Sequence, residues 1–274
     1  MPKFFAHRVK ASELNHNDLA NIGLSDHHVK YTDAEAVAAA KADSEIANAI
    51  ILGKTPWDDT GLVLYLPFDE NEGTVASDKS HYNNDGNFLA AGEPAWAEGR
   101  RGPAVNFDGV NDYVEIADSP SLGVSYVTME VWLKWDDTGA ASRPYIVDGR
   151  AHKYMIFIDK PYNVNFVIIA GGATKGTPGT DIPEVADGNW HHIVGTYDGS
   201  NLKIYFDSVL KQTTPHSGTI DVGSGIARIA CYIGGGAKYV AKGLIDEARI
   251  YNRALSAKEI FSHYMYALTH VKRA

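Results

Sequence analysis

Acidic residues on predicted strands are the first candidates for chemistry in this chain of 274 residues. Two carboxylates at alternate positions of a strand face the same side, and a pair about 5 Å apart is what a retaining glycosidase uses. Glu130 is followed by Val131 and Trp132, so no acid stands at the next position on its face. Asp246 and Glu247 are adjacent, so alternation predicts that their side chains leave opposite faces. The spacing therefore does not predict a catalytic pair.

Two pairs of adjacent histidines are the next candidates. His191 and His192 lie in a predicted strand, and we interpret them as structural side chains that neighbouring groups satisfy. His27 and His28 lead into an alanine-rich segment. If three copies of the chain met there, these histidines would bind a metal ion or stack on one another. The alternative is that they donate hydrogen bonds to the backbone of a turn.

Composition narrows the classes of partner. The formal net charge of -9 argues against binding to nucleic-acid phosphates or anionic lipid. No run approaches the roughly 18 apolar residues of a membrane span, and the first residues lack the apolar core of a secretory signal. An extracellular destination would then need a route without a cleaved signal, such as release of a virus particle that is assembled in a host cytoplasm. Cys231, the one cysteine, is expected to be a buried small hydrophobe.

The first 56 residues differ from the remainder. Residues 32–35 (TDAE) form a capping box, which predicts a helix over about 33–52. Val37, Ile46 and Ile50 are its larger apolar side chains, and the first two lie half a turn apart on the helix. A helix that is apolar on two sides favours packing between subunits; packing on its own chain is the alternative.

From Gly61 onward, short apolar stretches alternate with Gly, Asn and Asp turns. Many short strands without long intervening helices are typical of an antiparallel sandwich. Residues 197–201 (YDGSN) indicate a hairpin. Residues 256–259 (SAKE) form a second capping box, followed by a clean apolar stripe that predicts a docked C-terminal helix.

Four phrases in this part are similar to a known family: residues 61–70 (GLVLYLPFDE), 105–114 (VNFDGVNDYV), 189–199 (NWHHIVGTYDG) and 243–256 (GLIDEARIYNRALS). They resemble the laminin-G-like branch of the concanavalin A-like lectin/glucanase superfamily. The resemblance implies an all-β jelly-roll sandwich of two antiparallel sheets over residues 57–255, between an N-terminal helical segment (1–56) and a C-terminal helix (256–274).

The resemblance also implies a structural calcium ion, which needs six to eight oxygen ligands. Residues 78–87 (DKSHYNNDGN) are dense in oxygen-bearing side chains. The implied ligands are Asp78, Asn84, Asp108, Asp112 and Asp246. The alternative is that these residues make Asx turns and sheet-edge hydrogen bonds.

Tryptophans are the candidates for stacking on a sugar. Trp132 and Trp135 lie on a strand and are typical of the core and its rim. Trp57 and Trp96 are predicted in loops, which makes them the candidate ligand-binding residues.

A shorter stretch, residues 16–36, is similar to segments of phage and virus tail-fibre and spike proteins. That resemblance implies a homotrimer, with His27, His28, Val37, Ile46 and Ile50 as its oligomerisation residues. The resulting hypothesis is a non-catalytic, calcium-stabilised module of a virion or tail-fibre-like protein that binds a glycan or a host-surface receptor. The alternatives are a glycoside hydrolase or polysaccharide lyase of the same superfamily, and a structural decoration protein that binds no sugar.

Overall fold

The computed structural model describes residues 59–89, 95–136, 143–159, 161–234 and 237–269. These residues form two short 3-10 helices (Pro120–Leu122 and Pro183–Ala186), one α-helix, α1 (Ala257–Thr269), and the following strands: β1 (Leu62–Leu66), β2 (Val75–Ala76), β3 (Gly86–Phe88), β4 (Ala95–Glu98), β5 (Pro103–Asp108), β6 (Val114–Ile116), β7 (Val127–Trp135), β8 (Tyr145–Gly149), β9 (Tyr154–Asp159), β10 (Asn163–Ala170), β11 (Ala173–Gly176), β12 (Thr180–Asp181), β13 (His191–Tyr197), β14 (Asn201–Phe206), β15 (Val209–Pro215), β16 (Ala227–Ile229), β17 (Cys231–Gly234), β18 (Ala237–Val240) and β19 (Lys242–Tyr251).

Two antiparallel sheets make a sandwich, as the sequence predicts. In the described residues the first sheet has eight strands, in the order β15-β14-β13-β7-β19-β5-β4 with β1 beside β19. The second has nine strands, in the order β11-β10-β9-β8-β16-β6-β3-β2 with β12 beside β10. The strands β17 and β18 form a separate hairpin that contacts β8.

Strand alternation explains why the two sheets pack on each other. Along β7, Val127, Met129, Val131, Leu133 and Trp135 point into one core shared with the second sheet. The residues between them face the other side of the first sheet. Apolar burial of this kind contributes about 25 cal/mol per Å² and is the main force holding such a sandwich together.

The C-terminal helix covers part of the outer face of the first sheet. Its predicted capping box is confirmed, because the Ser256 N–H donates to Glu259 Oε2 over 2.8 Å and the Glu259 N–H donates back to Ser256 Oγ over 3.3 Å. Ile260 and Tyr264 are buried against the sheet. No helix in the described part of the chain is long and apolar enough to cross a membrane.

A charged cluster is buried beneath this helix. Glu130 is fully buried and accepts hydrogen bonds from Arg249 Nη1 and His263 Nδ1, each over 2.6 Å. Burial opposes ionisation of Glu130, but His263 and Arg249 outweigh it and hold the pKa of this carboxyl well below its usual range. Burial lowers the pKa of His263, and the hydrogen bond between its Nδ1 and Glu130 ties α1 to β7.

Other local predictions are confirmed. The turn after Tyr197 joins β13 to β14 as an antiparallel hairpin. Cys231, Trp132 and Trp135 are all buried. His191 is hydrogen-bonded to Asp207 through Nδ1 and to Asp187 through Nε2, so neighbouring groups satisfy it as expected. His192 is the exception, because it is fully buried and its Nδ1 has no hydrogen-bond partner among the described residues.

Candidate functional site

A row of residues crosses the outer face of the nine-stranded sheet. Backbone pairing places Asn87 beside Glu115, Glu115 beside Arg228, Arg228 beside Asp148, and Asp148 beside Met155. Their neighbours along each strand, such as Ile116 and Ile229, point the other way into the core. We call these five residues the central row.

Two charged side chains in the central row, Glu115 and Arg228, hold each other in a fixed orientation. Arg228 Nη2 donates to Glu115 Oε2 over 3.2 Å. The Arg228 side chain is 12% exposed, and its Nε–H has no hydrogen-bond partner among the described residues. A buried donor without a partner costs free energy, so a ligand or water oxygen at this point would be favourable.

The turn between β8 and β9 places a histidine over this row. Positive φ angles at Ala151 (52°) and His152 (64°) bend the chain so that His152 Nδ1 lies 2.7 Å from Asp148 Oδ2. Burial raises the pKa of Asp148, and the hydrogen bond from His152 opposes that shift. Gly149 precedes the turn because a Cβ there would lie 1.9 Å from the ring of Tyr154.

Four aromatic side chains, which we call the aromatic wall, stand beside the row: Tyr145, Phe157, Tyr232 and Tyr239. Tyr145 stacks on Phe157 with ring centroids 4.9 Å apart and on Tyr232 at 4.5 Å. The His152 ring lies 4.3 Å from that of Tyr232. Tyr145 and Phe157 are buried, whereas Tyr232 and Tyr239 on the β17–β18 hairpin are partly exposed. The hairpin therefore presents aromatic surface next to the polar row.

A cleft opens at the other end of the row, and we call it the first cleft. Its volume is about 460 Å³, and it is lined by Thr74, Asn87, Phe88, Leu89, Glu115, Ala117, Asp118 and Ile226. Asp118 accepts a hydrogen bond from Arg150 Nε over 2.8 Å, which fixes one side of the cleft. Leu89 is 39% exposed and supplies an apolar lip. The face thus combines an open cleft, fixed polar groups and a partly exposed aromatic surface.

This combination suits a ligand with both apolar and hydroxyl-bearing faces. A sugar ring has one face of C–H groups and an edge of hydroxyls, each of which donates and accepts. Partly exposed tyrosines pack on the C–H face, and carboxylate, amide and guanidinium groups form hydrogen bonds with the hydroxyls.

The structure places the predicted metal ligands at three sites. Asp78 and Asn84 lie together beside β1, where the Asn84 N–H donates to Asp78 Oδ2 over 2.8 Å. Asp108 and Asp112 share one turn after β5. Asp246 is buried on β19, against the backbone N–H of the turn that precedes β5. In the described ranges, no group of three or more His, Cys, Asp or Glu side chains is arranged to hold a metal ion.

The donors around these carboxylates do not fit calcium. Both oxygens of Asp78 accept hydrogen bonds, from the N–H of Tyr65, Ser80 and Asn84 and from the Ser80 hydroxyl. Asp108 Oδ1 accepts from three backbone N–H groups in an Asx turn. Oxygens that face N–H donors in this way are not directed at a cation.

Asp246 and Glu247 correct the expectation from strand alternation. A β-bulge between Asp246 and Arg249, with a positive φ of 54° at Glu247, turns both carboxyls to the outer face of the first sheet. Glu247 pairs there with Arg249 and accepts from the Tyr65 hydroxyl over 2.9 Å. Burial and the charge of Glu247 raise the pKa of Asp246 well above its usual range. Both acids are at most 1% exposed, so neither can reach a polysaccharide.

The other predicted site residues divide into two groups. Trp96 was expected in a loop but lies in β4, where pairing with β5 orders it and its ring meets Phe88 edge-on at 5.7 Å. The predicted helix over 33–52 and the following residues lie outside the described ranges: Trp57, His27, His28, Val37, Ile46 and Ile50.

The central row and the aromatic wall were missed by sequence reasoning. One signal was available: Tyr232 and Tyr239 flank the glycines at 234–236, a pattern that predicts a hairpin with the two rings on one face. The alignment of Glu115, Arg228 and Asp148 depends on pairing between strands far apart in the sequence, which no local pattern shows.

Comparison with solved structures shows the same fold in binding domains. Domain 4 of AbnA, a GH43 extracellular arabinanase from Geobacillus stearothermophilus solved with arabinotriose, has a TM-score of 0.58 at 20% identity over 74% of this chain and 98% of that domain. The binding domain of Paraclostridial Mosquitocidal Protein 1 has a TM-score of 0.59 at 15% identity, over 74% of this chain and 52% of that one. The binding domain of botulinum neurotoxin DC, solved with rat synaptotagmin II, has a TM-score of 0.56 at 15% identity over 76% and 52%.

The chain therefore spans about half the length of the toxin binding domains and nearly all of the arabinanase domain. No curated protein matches the sequence at a significant level. A family model described as the concanavalin A-like lectin/glucanases superfamily matches residues 108–261, which is more than half of the chain. With its two antiparallel sheets and this match, the chain belongs to the concanavalin A-like lectin/glucanase superfamily.

Proposed function

We propose that this chain is a non-catalytic saccharide-binding module whose ligand lies on the outer face of the nine-stranded sheet. The observation that carries the proposal is the central row, with its fixed polar groups, flanked by the partly exposed Tyr232 on one side and the first cleft on the other. A saccharide is the ligand class with hydroxyls for the row and C–H faces for the aromatic wall.

The structural relatives support a binding role. The arabinanase domain was solved with arabinotriose, and the toxin domains are binding domains, one of them solved with a protein receptor. A glycan is favoured over a protein receptor because the first cleft, with a volume of about 460 Å³, is lined mainly by polar and small residues.

The acids of the central row support binding rather than hydrolysis. Glu115 is paired with Arg228, and Asp148 is held by His152 and is completely buried. A glycosidase needs one carboxyl that gives a proton to the leaving oxygen and a second that acts as nucleophile or base. Pairing fixes Glu115 as a charged hydrogen-bond acceptor, and burial removes Asp148 from the substrate's reach.

The setting of the module forms the remaining part of the proposal. We propose that the chain is displayed on a virion or a similar surface assembly and is held there as a homotrimer by residues 1–56, as the resemblance of residues 16–36 to tail-fibre segments implies. Calcium, which the family resemblance implies, is not part of this proposal, because the oxygens of Asp78 and Oδ1 of Asp108 face N–H donors, and binding at the central row does not depend on it.

A glycan array followed by calorimetric titration tests the proposal. The full-length chain should bind at least one oligosaccharide class, and Tyr232→Ala should weaken that binding about tenfold, since an aromatic contact contributes about 1.4 kcal/mol. Tyr82→Ala is the matched control, because Tyr82 is 50% exposed and belongs neither to the central row nor to the lining of the first cleft. Silence across the array would favour a structural decoration protein, and release of reducing ends would favour a hydrolase.

A further inference from the structure

A second cleft lies on the opposite side of the sandwich. Lys134, Leu244 and Asn106 are cross-strand neighbours on β7, β19 and β5, and all three point to the outer face of the eight-stranded sheet. The turn after the second 3-10 helix, at Asp187 and Gly188, closes one side. The volume is about 460 Å³, equal to that of the first cleft.

The lining of the second cleft offers donors, acceptors and apolar surface together. Lys134 makes no ion pair among the described residues, so its ammonium is available as a donor. Asn106 is exposed and adds an amide, and Asp187 adds a carboxylate. Leu244 provides an apolar floor.

The two carboxylates of this cleft are held in place by neighbouring cations. Lys242 Nζ lies 2.9 Å from Asp136 Oδ2. His191 lies between Asp187 and Asp207, at 2.9 Å and 2.8 Å. Burial opposes protonation of His191, but the two aspartates outweigh it and raise the pKa of this imidazole. The basic side chains near the cleft equal the acidic ones in number, so the site favours a neutral ligand rich in hydroxyls over an acidic one. The basic ones are Lys134, Lys242 and His191, and the acidic ones are Asp136, Asp187 and Asp207.

From this arrangement we propose that the second cleft is a further saccharide site, which takes a neutral sugar between Lys134, Asn106 and Asp187. The second cleft is inferred from its own lining residues and does not depend on the proposed function. Its consequence rests on the proposed function: because the clefts lie on opposite outer faces, one module would hold two saccharide chains at once. A bivalent module of this kind gains avidity on a glycan-covered surface without any additional contact.

Nuclear magnetic resonance of the ¹⁵N-labelled full-length chain tests the second cleft separately from the first. Galactose, N-acetylglucosamine and arabinotriose are titrated in separate samples. We expect one of them to shift the amides of Asn106, Lys134 and Leu244 in a saturable way. Shifts at Asn87 and Glu115 report on the first cleft. Shifts at these two amides alone would mean that this inference fails while the proposed function holds. Shifts at the amides of the second cleft alone would mean the reverse.

Two variants complete the test. Lys134→Met keeps the apolar stem and removes the ammonium, and it should weaken binding at the second cleft about tenfold while leaving the first unchanged. Asn106→Ala, at an exposed position, should weaken the same site. Lys211→Met, on the exposed edge strand β15 of the same sheet, is the control. The inference is overturned if no sugar shifts the amides of the second cleft, or if Lys134→Met binds as the wild type does.

Discussion

Replacing Glu130 by glutamine should strongly destabilise the fold, although the two side chains have the same shape. Glu130 is fully buried and accepts from Arg249 and His263, while His192 Nε2 lies 3.4 Å away. A glutamine has one carbonyl oxygen that can accept, and its NH₂ group would face either Arg249 or His263, both of which are donors. The charge of Arg249 then keeps only Glu247 as its buried counter-ion.

The expected cost follows from that geometry. Breaking a buried ion pair by removing one partner costs about 3–5 kcal/mol, because the remaining charge stays in a low-dielectric site. Because Glu247 remains beside Arg249, we expect the cost of Glu130→Gln to lie at the lower end of this range, at about 3 kcal/mol. With a urea dependence of roughly 2 kcal/mol per molar, the unfolding midpoint should fall by about 1.5 M.

Urea unfolding followed by tryptophan fluorescence measures this change, since Trp132 neighbours the cluster on the same strand. Glu115→Gln is the control: its pair with Arg228 is partly exposed and should contribute about 1 kcal/mol or less. If both variants shifted the midpoint equally, the buried cluster would not be what fastens α1 to the first sheet.

Three further changes have defined outcomes. His191→Asn should cost more stability at pH 6 than at pH 9, because the raised pKa of His191 gives stability that is present below its unfolded value, about 6.5, and lost as pH rises through the folded value; melting curves at both pH values check this. Ser256→Ala should cost about 1 kcal/mol, seen as a lower melting temperature, because the capping hydrogen bond to the Glu259 N–H is lost. Calcium added to chelator-treated protein should give no saturable heat at the turns of Asp78 and Asp108, whose oxygens face N–H donors; sub-millimolar binding there would contradict the geometry.

The strands and the C-terminal helix could be predicted because their signals are local. Alternation along β7, the turn after Tyr197 and the capping box at Ser256 each lie within a few residues, and the structure confirms all three. The bulge at Glu247 could not be predicted, since an extra residue in a strand leaves no mark in a short alternating pattern. Because of this bulge, Asp246 and Glu247 lie on the same face of the first sheet and not on opposite faces.

The candidate site was harder to predict than the fold. Glu115, Arg228 and Asp148 become neighbours only when β6, β16 and β8 pair, and these strands are separated by long stretches of chain. The oxygen-rich loop at Asp78 was interpreted as a calcium site from its composition and the family resemblance. Its side chains instead satisfy backbone N–H groups, a use that the same composition permits.

The most direct test of the account is calorimetric titration of the full-length chain and of Tyr232→Ala with the oligosaccharide that scores highest on the glycan array. The account predicts saturable binding by the wild type and about tenfold weaker binding by the variant, with circular dichroism showing that both proteins are folded at the temperature of the titration. Equal affinity for the two proteins would place the ligand elsewhere and contradict the assignment of the binding site to the central row and the aromatic wall.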